Sequence, residues 1–85
     1  MASYRILFWQ EVPSQIKAED AHDDVTLMLP DRFMQRIDQL AAARGLDGAD
    51  AYLAEWRWSD EVDRPGSAQD VAEAVRAELE AAADW

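Results

Sequence analysis

The sequence predicts an α+β domain: a small three-stranded, mainly antiparallel sheet with three helices packed on one face, in the order β-β-α-α-β-α. Short runs of aromatic and branched residues near the N-terminus are typical of strands, whereas the second half of the chain places apolar residues at helical spacing. Each helix has a single apolar stripe to bury, so one layer of helices on one sheet face satisfies the pattern. The length of 85 residues predicts a single domain, residues 1–85.

The first part of the chain contains two predicted strands separated by a loop. Tyr4–Gln10 is rich in aromatic and branched residues and predicts a buried strand. Pro13–Asp24 is polar and acidic with little strand propensity, so we expect a long loop there. Val25–Leu29 alternates branched apolar residues with Thr26 and Met28, which is the pattern of a half-buried second strand.

Two helices are predicted next. Pro30 and Asp31 open the first helix and Gly45 ends it, with Leu46 placed for the hydrophobic contact of a Schellman cap. Its apolar stripe consists of Phe33, Ile37, Leu40 and Ala41. Asp47 is the expected N-cap of a short second helix. The apolar side of that helix consists of Ala49, Tyr52, Leu53 and Trp56.

The last predicted elements are a short strand and a long helix. Glu55–Ser59 alternates Trp56 and Trp58 with Arg57, and we expect both tryptophans in the core because large aromatic residues dominate core energetics. Ser67–Asp70 resembles a capping box with Asp in place of Glu, which predicts the start of the third helix. The stripe of this helix consists of Val71, Val75, Leu79 and Ala82.

Helices on one side leave the other sheet face open. Turning the more apolar half of each strand inward assigns to this outer face Arg5, Leu7, Trp9, Thr26, Met28 and Arg57. Trp, Met and Arg are enriched in the cores of protein interfaces, so this face is a candidate interface. The alternative is that the 13–24 loop or the Asp84–Trp85 end folds across the face and covers it.

The resulting hypothesis is a non-catalytic protein–protein interaction module, with homodimerisation through the same face as a variant. Trp9 and Met28 would be apolar anchors, and Arg5 and Arg57 would pair with carboxylates of the partner. Hydrogen bonds at the rim would come from Gln10, Ser14 and Gln15. The predicted partner-binding residues are therefore Arg5, Leu7, Trp9, Gln10, Ser14, Gln15, Met28 and Arg57.

Charge narrows the possible partners and location. The net charge is −10, from 18 acidic and 8 basic residues, and it opposes binding to nucleic acid or to an anionic membrane. The chain has no Cys, which excludes disulfides and thiolate metal sites. The apolar run after Arg5 is too short for a signal peptide or a membrane span, so we expect a cytoplasmic protein.

No residue set indicates catalysis, and we expect neither an enzyme nor a cofactor. Most carboxylates fall on predicted outer helix faces or loops, where they are solvated. His22 is the only His and lies within the acidic Glu19–Asp24 run. This run lacks EF-hand spacing, and a single His is a poor basis for a zinc site. It nevertheless defines the alternative function, a regulatory protein that binds a metal or small ligand through the acidic 19–24 loop.

Two runs of residues in the chain are specific, Trp9-Gln10-Glu11-x-Pro13-Ser14-Gln15 and Tyr52-Leu53-x-x-Trp56-x-Trp58. They lie within four longer stretches that cover nearly the whole chain, Arg5–Ala18, Leu29–Ala41, Asp50–Trp58 and Arg64–Glu80. Together these stretches resemble the small bacterial virulence factor domain family.

The resemblance implies an accessory role and no particular reaction. A domain of this kind accompanies HEAT-like repeats and an Nfu-like segment in a longer conserved virulence factor, which suggests a role near iron–sulfur assembly or in a regulatory complex. This chain has no Cys, so it could not hold a cluster through thiolates.

Overall fold

The computed structural model describes residues 1–85 and contains five strands and three helices. They are β1 (Ala2–Trp9), β2 (Val12–Glu19), β3 (Asp24–Met28), α1 (Asp31–Ala43), α2 (Ala49–Ala54), β4 (Trp56–Trp58), β5 (Val62–Arg64) and α3 (Ala68–Ala82). The α+β class and the antiparallel sheet are confirmed, but the sheet has five strands instead of the predicted three.

The sheet is built around β1. One edge of β1 pairs with β2, which in turn pairs with β3. The other edge pairs with β4 near the end of β1 and with β5 near its start. All of these pairings are antiparallel, so β4 and β5 form two short pieces of one edge, separated by Ser59–Glu61.

The prediction of a long loop over Pro13–Asp24 is wrong, since most of this segment belongs to β2. The buried positions of β2 are Val12, Ser14, Ile16 and Ala18. They alternate with more exposed residues, as expected for a strand. The segment was nevertheless not predicted as a strand, because its Pro, its Lys and its small residues have a low strand propensity. β5 was also missed, because Val62 is its single apolar residue.

A β-bulge at Ser14 sets the orientation of the side chains around the β1–β2 turn. The register between the two strands shifts after Leu7, where Ser14 is the extra residue. Directly paired side chains share a face, so Phe8 points to the same side as Pro13. Trp9, one residue further, points to the opposite side.

α3 covers one face of the sheet, which we call the inner face. Two rows of apolar side chains cross this face, Ile6–Ile16–Leu27 and Tyr4–Ala18–Val25. Against them α3 buries Ala68, Val71, Ala72 and Val75. The helix begins as predicted at Ser67, whose Oγ accepts a hydrogen bond from the backbone N–H of Asp70 at 3.1 Å. Like the other two helices, α3 is not long and apolar enough to cross a membrane.

α1 runs beside the turn end of β2. It buries Phe33, Ile37 and Ala41 in the core. Its C-terminal end is the predicted Schellman motif, in which Gly45 has a φ of 68° and the N–H of Leu46 donates to the carbonyl of Ala41 at 2.7 Å. Just beyond the helix, Arg44 forms an ion pair with Glu11 of the β1–β2 turn at 2.6 Å, which ties the two ends together.

The prediction that all three helices pack on one face is wrong, because α2 lies on the opposite, outer face. The ring of Tyr52 lies 5.6 Å from the Trp9 ring and 5.9 Å from the Trp56 ring. The Trp9 indole N–H donates to the backbone carbonyl of Tyr52 at 2.9 Å. Two large rings on the outer face therefore require a cover, and α2 supplies it. This helix is capped by Gly48 instead of the predicted Asp47.

The β1–β2 turn contains no glycine, although Gln10 has a positive φ of 51°. The backbone N–H of Gln10 donates to the Glu55 carbonyl at 3.3 Å, and its own carbonyl accepts from Arg57 at 3.2 Å. The Gln10 side chain also accepts a hydrogen bond from Arg44. These contacts from both sides hold a non-glycine residue in the left-handed region.

Replacing Trp9 by Ala should lower the free energy of unfolding by about 3–5 kcal/mol, the usual cost of truncating a buried aromatic residue. Trp9 has an exposed fraction of 0% and its indole N–H is paired. The matched control Trp58→Ala removes a ring that is 41% exposed and should cost about 1 kcal/mol or less. Urea denaturation followed by circular dichroism measures both. Equal losses for the two variants would contradict the core position of Trp9.

Candidate protein interface

One row of side chains crosses the open part of the outer face. It passes through β3, β2, β1 and β4 as Met28, Gln15, Leu7 and Trp58, and each residue is directly paired with the next. We call these residues the outer row. Met28 is 56% exposed and Trp58 is 41% exposed. Because paired side chains in an antiparallel sheet lie about 5 Å apart, the row forms one continuous strip.

Two basic side chains stand beside the outer row. Arg5 and Lys17 are directly paired across β1 and β2. The guanidinium of Arg5 lies 5.3 Å from the centre of the Trp58 ring, a cation–π distance. Neither basic residue forms an ion pair within the chain, so both charges are available to a partner.

The row of paired residues that follows Arg5 and Lys17 along the strands is acidic. This row consists of Ser3, Glu19, Asp24 and Asp63. Along the strands, the face therefore passes from apolar to basic to acidic. The basic residues form a narrow band in a chain whose net charge is −10.

The structure brings together four of the predicted partner-binding residues, Arg5, Leu7, Gln15 and Met28. The first two lie on β1, and the others lie on the neighbouring strands of the same face. The outer placement of Arg5, Leu7 and Met28 agrees with the strand alternation in the sequence, whereas Gln15 was expected in a loop and lies on β2. For these residues, partner binding remains a prediction.

Trp9 and Ser14 are not accessible to a partner, and their predicted exposure is wrong. Trp9 lies on the predicted face but is fully buried. Ser14 is 5% exposed, and its hydroxyl donates to the Met34 sulfur at 3.6 Å. The reason for both errors is tertiary, since helices cover this end of the sheet. Gln10 lies in the hairpin turn, away from the outer row, with its side chain bound to Arg44.

The facing of β4 is the reverse of the prediction. Trp58 pairs with Leu7 and therefore lies on the outer face, whereas Arg57 pairs with Phe8 and lies on the inner side. The guanidinium of Arg57 is 5.0 Å from the centre of the Phe8 ring. Trp56 shares the outer side with Trp58 but is packed against α2. A strand of three residues is too short for its own sequence to indicate the register. The contacts of β4 with β1 determine it instead.

Sequence reasoning missed two members of this surface, Trp58 and Lys17. The size of Trp58 alone predicts a core position for it. Lys17 fell inside the segment expected as a loop, although Ile16 and Ala18 on either side of it are both buried. That local alternation is the signal that could have identified Lys17 as an outward residue of a strand.

The acidic segment Glu19–Asp24 forms the turn between β2 and β3. Asp20 accepts hydrogen bonds from the N–H groups of His22 at 2.7 Å and Asp23 at 2.8 Å, and from Ala68 at the start of α3 at 2.8 Å. These hydrogen bonds lower the pKa of Asp20 to about 2, and the bond from Ala68 has the largest effect. The chain has no group of three or more His, Cys, Asp or Glu side chains placed to hold a metal ion. Asp20 therefore joins the turn to α3, and no observation favours the metal hypothesis.

A comparison of the sequence with known protein families gives one match. The family described as Virulence factor matches residues 7–84, which include the whole of the outer row. No curated protein and no solved structure matches the chain.

Replacing Asp20 by Asn should lower the thermal midpoint at neutral pH, because one carboxylate oxygen that accepts from Ala68 becomes an amide donor. The folded pKa of about 2 is below the ordinary value of 3.8, so this carboxylate stabilises the fold above pH 3.8. The stabilisation is lost as the pH falls towards about 2. The difference in midpoint between wild type and variant should therefore shrink over that window.

The control for this experiment is Asp23→Asn, in the same turn. The Asp23 side chain accepts no hydrogen bond, and only its backbone N–H and carbonyl take part in the turn. This variant should leave the midpoint near that of the wild type. A difference between Asp20→Asn and wild type that stays constant down to pH 2 would show that the Asp20 carboxylate does not have the lowered pKa.

Proposed function

This chain belongs to the virulence factor family, and we propose that it acts as a non-catalytic, cytoplasmic, virulence-associated accessory module that binds a protein partner through the outer row. The observation that carries the proposal is the exposed Met28 and Trp58 at the two ends of a continuous strip. The two residues between them, Leu7 and Gln15, are half-buried and join the exposed ends into one patch. Exposed apolar patches on a small monomer commonly mark interaction sites.

The chemistry of the strip suits a protein partner. Trp is among the residues that contribute most to interface affinity, and Met adapts to irregular surfaces. Gln15 lies between the apolar residues and offers both a donor and an acceptor for a backbone or side chain of the partner. Arg5 and Lys17 stand beside the strip with free charges, which favours a partner with carboxylates at the matching position.

The same charges argue against self-association through this face as the main mode. Two copies that align their outer rows about a two-fold axis parallel to the strands would bring their Arg5–Lys17 bands together. Like charges placed opposite each other oppose binding. Light scattering over a range of concentrations distinguishes a foreign partner from self-association. If the wild type is a stable dimer and Trp58→Ala is a monomer, the partner of the outer row is a second copy of the chain.

Site-specific photo-crosslinking in cells tests the interface directly. A photoreactive amino acid at Met28 or Trp58 should yield a discrete crosslinked species. The matched control is Leu53 on α2, which is apolar and 64% exposed but lies outside the outer row. Crosslinks from the outer-row positions and none from Leu53 would support the proposal. Equal crosslinking at all three positions, or crosslinks from Leu53 alone, would contradict it.

Once the crosslinked partner is purified, Trp58→Ala should weaken its binding by about 2 kcal/mol, or roughly 30-fold in Kd. The variant should remain folded because its ring is partly exposed. Leu53→Ala should leave the Kd within about twofold, since it removes a comparable apolar surface elsewhere. Isothermal titration calorimetry measures both. Similar Kd values for Trp58→Ala and wild type would remove the outer row from the interface.

A further inference from the structure

A cavity of about 360 Å³ lies on the other side of the sheet from the outer row, between α1, the end of α3 and the β1–β2 turn. Its apolar wall includes Phe8, Pro13, Phe33, Leu40, Leu79 and Trp85. The rings of Phe33 and Trp85 pack edge to face with centres 4.6 Å apart, which fixes one side of the cavity. A cavity of this volume lies at the lower end of the range for small-molecule sites.

Arg36 is the one basic residue in the cavity wall. The residue is half-buried, and its Nε, which is buried, has no hydrogen-bond acceptor in the protein. A ligand in the cavity would therefore reach the outer nitrogens of the guanidinium and not Nε. An apolar wall with a single cationic side chain is typical of a site that orients a ligand through an anionic end.

The other charged groups around the cavity are already paired or exposed. Arg44 binds both carboxylate oxygens of Glu11, at 3.0 and 2.6 Å, and this pairing lowers the pKa of Glu11. Arg32 donates to the backbone carbonyl of Trp85 at 3.2 Å. Asp84 lies on the cavity wall with its side chain exposed. Arg36 forms no ion pair and acts on the Glu11 carboxylate only through space, so its hydrogen-bond donors are left for a ligand.

We propose that this cavity binds a small carboxylic acid with an apolar tail. The carboxylate accepts from Arg36, and the tail lies against Phe33, Leu79 and Trp85. The volume suits a small molecule of this kind. The proposal does not depend on the proposed function, because the two sites lie on opposite faces of the sheet.

The test titrates isotopically labelled protein with octanoate and follows its amide and indole signals by nuclear magnetic resonance. Octanoate should shift the signals of the cavity wall, including the Trp85 indole, and leave the Trp9 indole unchanged, since Trp9 is buried on the outer side. Octanol and octylamine have the same chain with a neutral or a positive end, and both should bind more weakly. No shift at about 10 mM octanoate would overturn the proposal.

Two variants identify the cavity and its charge. Arg36→Gln keeps a side chain of similar length without the charge and should weaken octanoate binding by about tenfold or more, as expected for a charge-assisted hydrogen bond. The matched control Arg76→Gln lies on α3 outside the cavity wall and should bind like the wild type. Ala82→Phe should fill the cavity and abolish the shifts while the protein stays folded.

Three further results would also overturn the proposal. Equal octanoate affinity for Arg36→Gln and wild type would show that Arg36 does not bind the carboxylate. Tighter binding of octylamine than of octanoate would show that Glu11 and Asp84 set the charge preference of the cavity. Shifts at Met28 and Trp58 without shifts at the cavity wall would place the ligand on the outer row.

Discussion

The arrangement of both faces depends on the burial of Trp9. This ring points to the outer side of β1, where it would expose a large apolar surface at the turn end of the sheet. α2 covers it, and the hydrogen bond from the indole to the Tyr52 carbonyl fixes the position of that helix. The cover extends over Trp56 but ends before Trp58. The boundary between the closed and the open parts of the outer face therefore lies within β4, and the outer row begins where the cover ends.

Local signals correctly predicted the α+β class, the end of α1 and the start of α3, but not the number of strands or the face that α2 covers. The Schellman motif at Gly45 and the cap at Ser67 depend on neighbours in sequence, and both occur as predicted. The strand over Pro13–Asp24 was missed because the partners of β2 on both sides supply its stability, while its own residues have little strand propensity. α2 was placed on the wrong face for a related reason. Its single apolar stripe fits either face, and only the outward direction of Trp9 determines which one it covers.

The candidate interface was predictable only in part. Alternation alone correctly places Arg5, Leu7 and Met28 outward, because it is a property of the strand itself. The exposure of a side chain is not a property of the strand alone, because it depends on whether a helix covers that position. Trp9 and Trp58 illustrate this difference, since both point outward and one is fully buried while the other is 41% exposed. Residue size favours the core for each of them, so the sequence contains no signal that separates the two.

The outer row and the cavity are connected through the backbone of β1. Leu7 belongs to the outer row, and the next residue, Phe8, belongs to the cavity wall. β4 repeats this arrangement with Trp58 facing outward and Arg57 over the Phe8 ring. Alternation along two paired strands therefore places neighbouring residues at two different sites, on opposite faces of the sheet. The outer row and the cavity wall share this backbone but no side chain. A substitution can therefore remove one site without removing a side chain of the other.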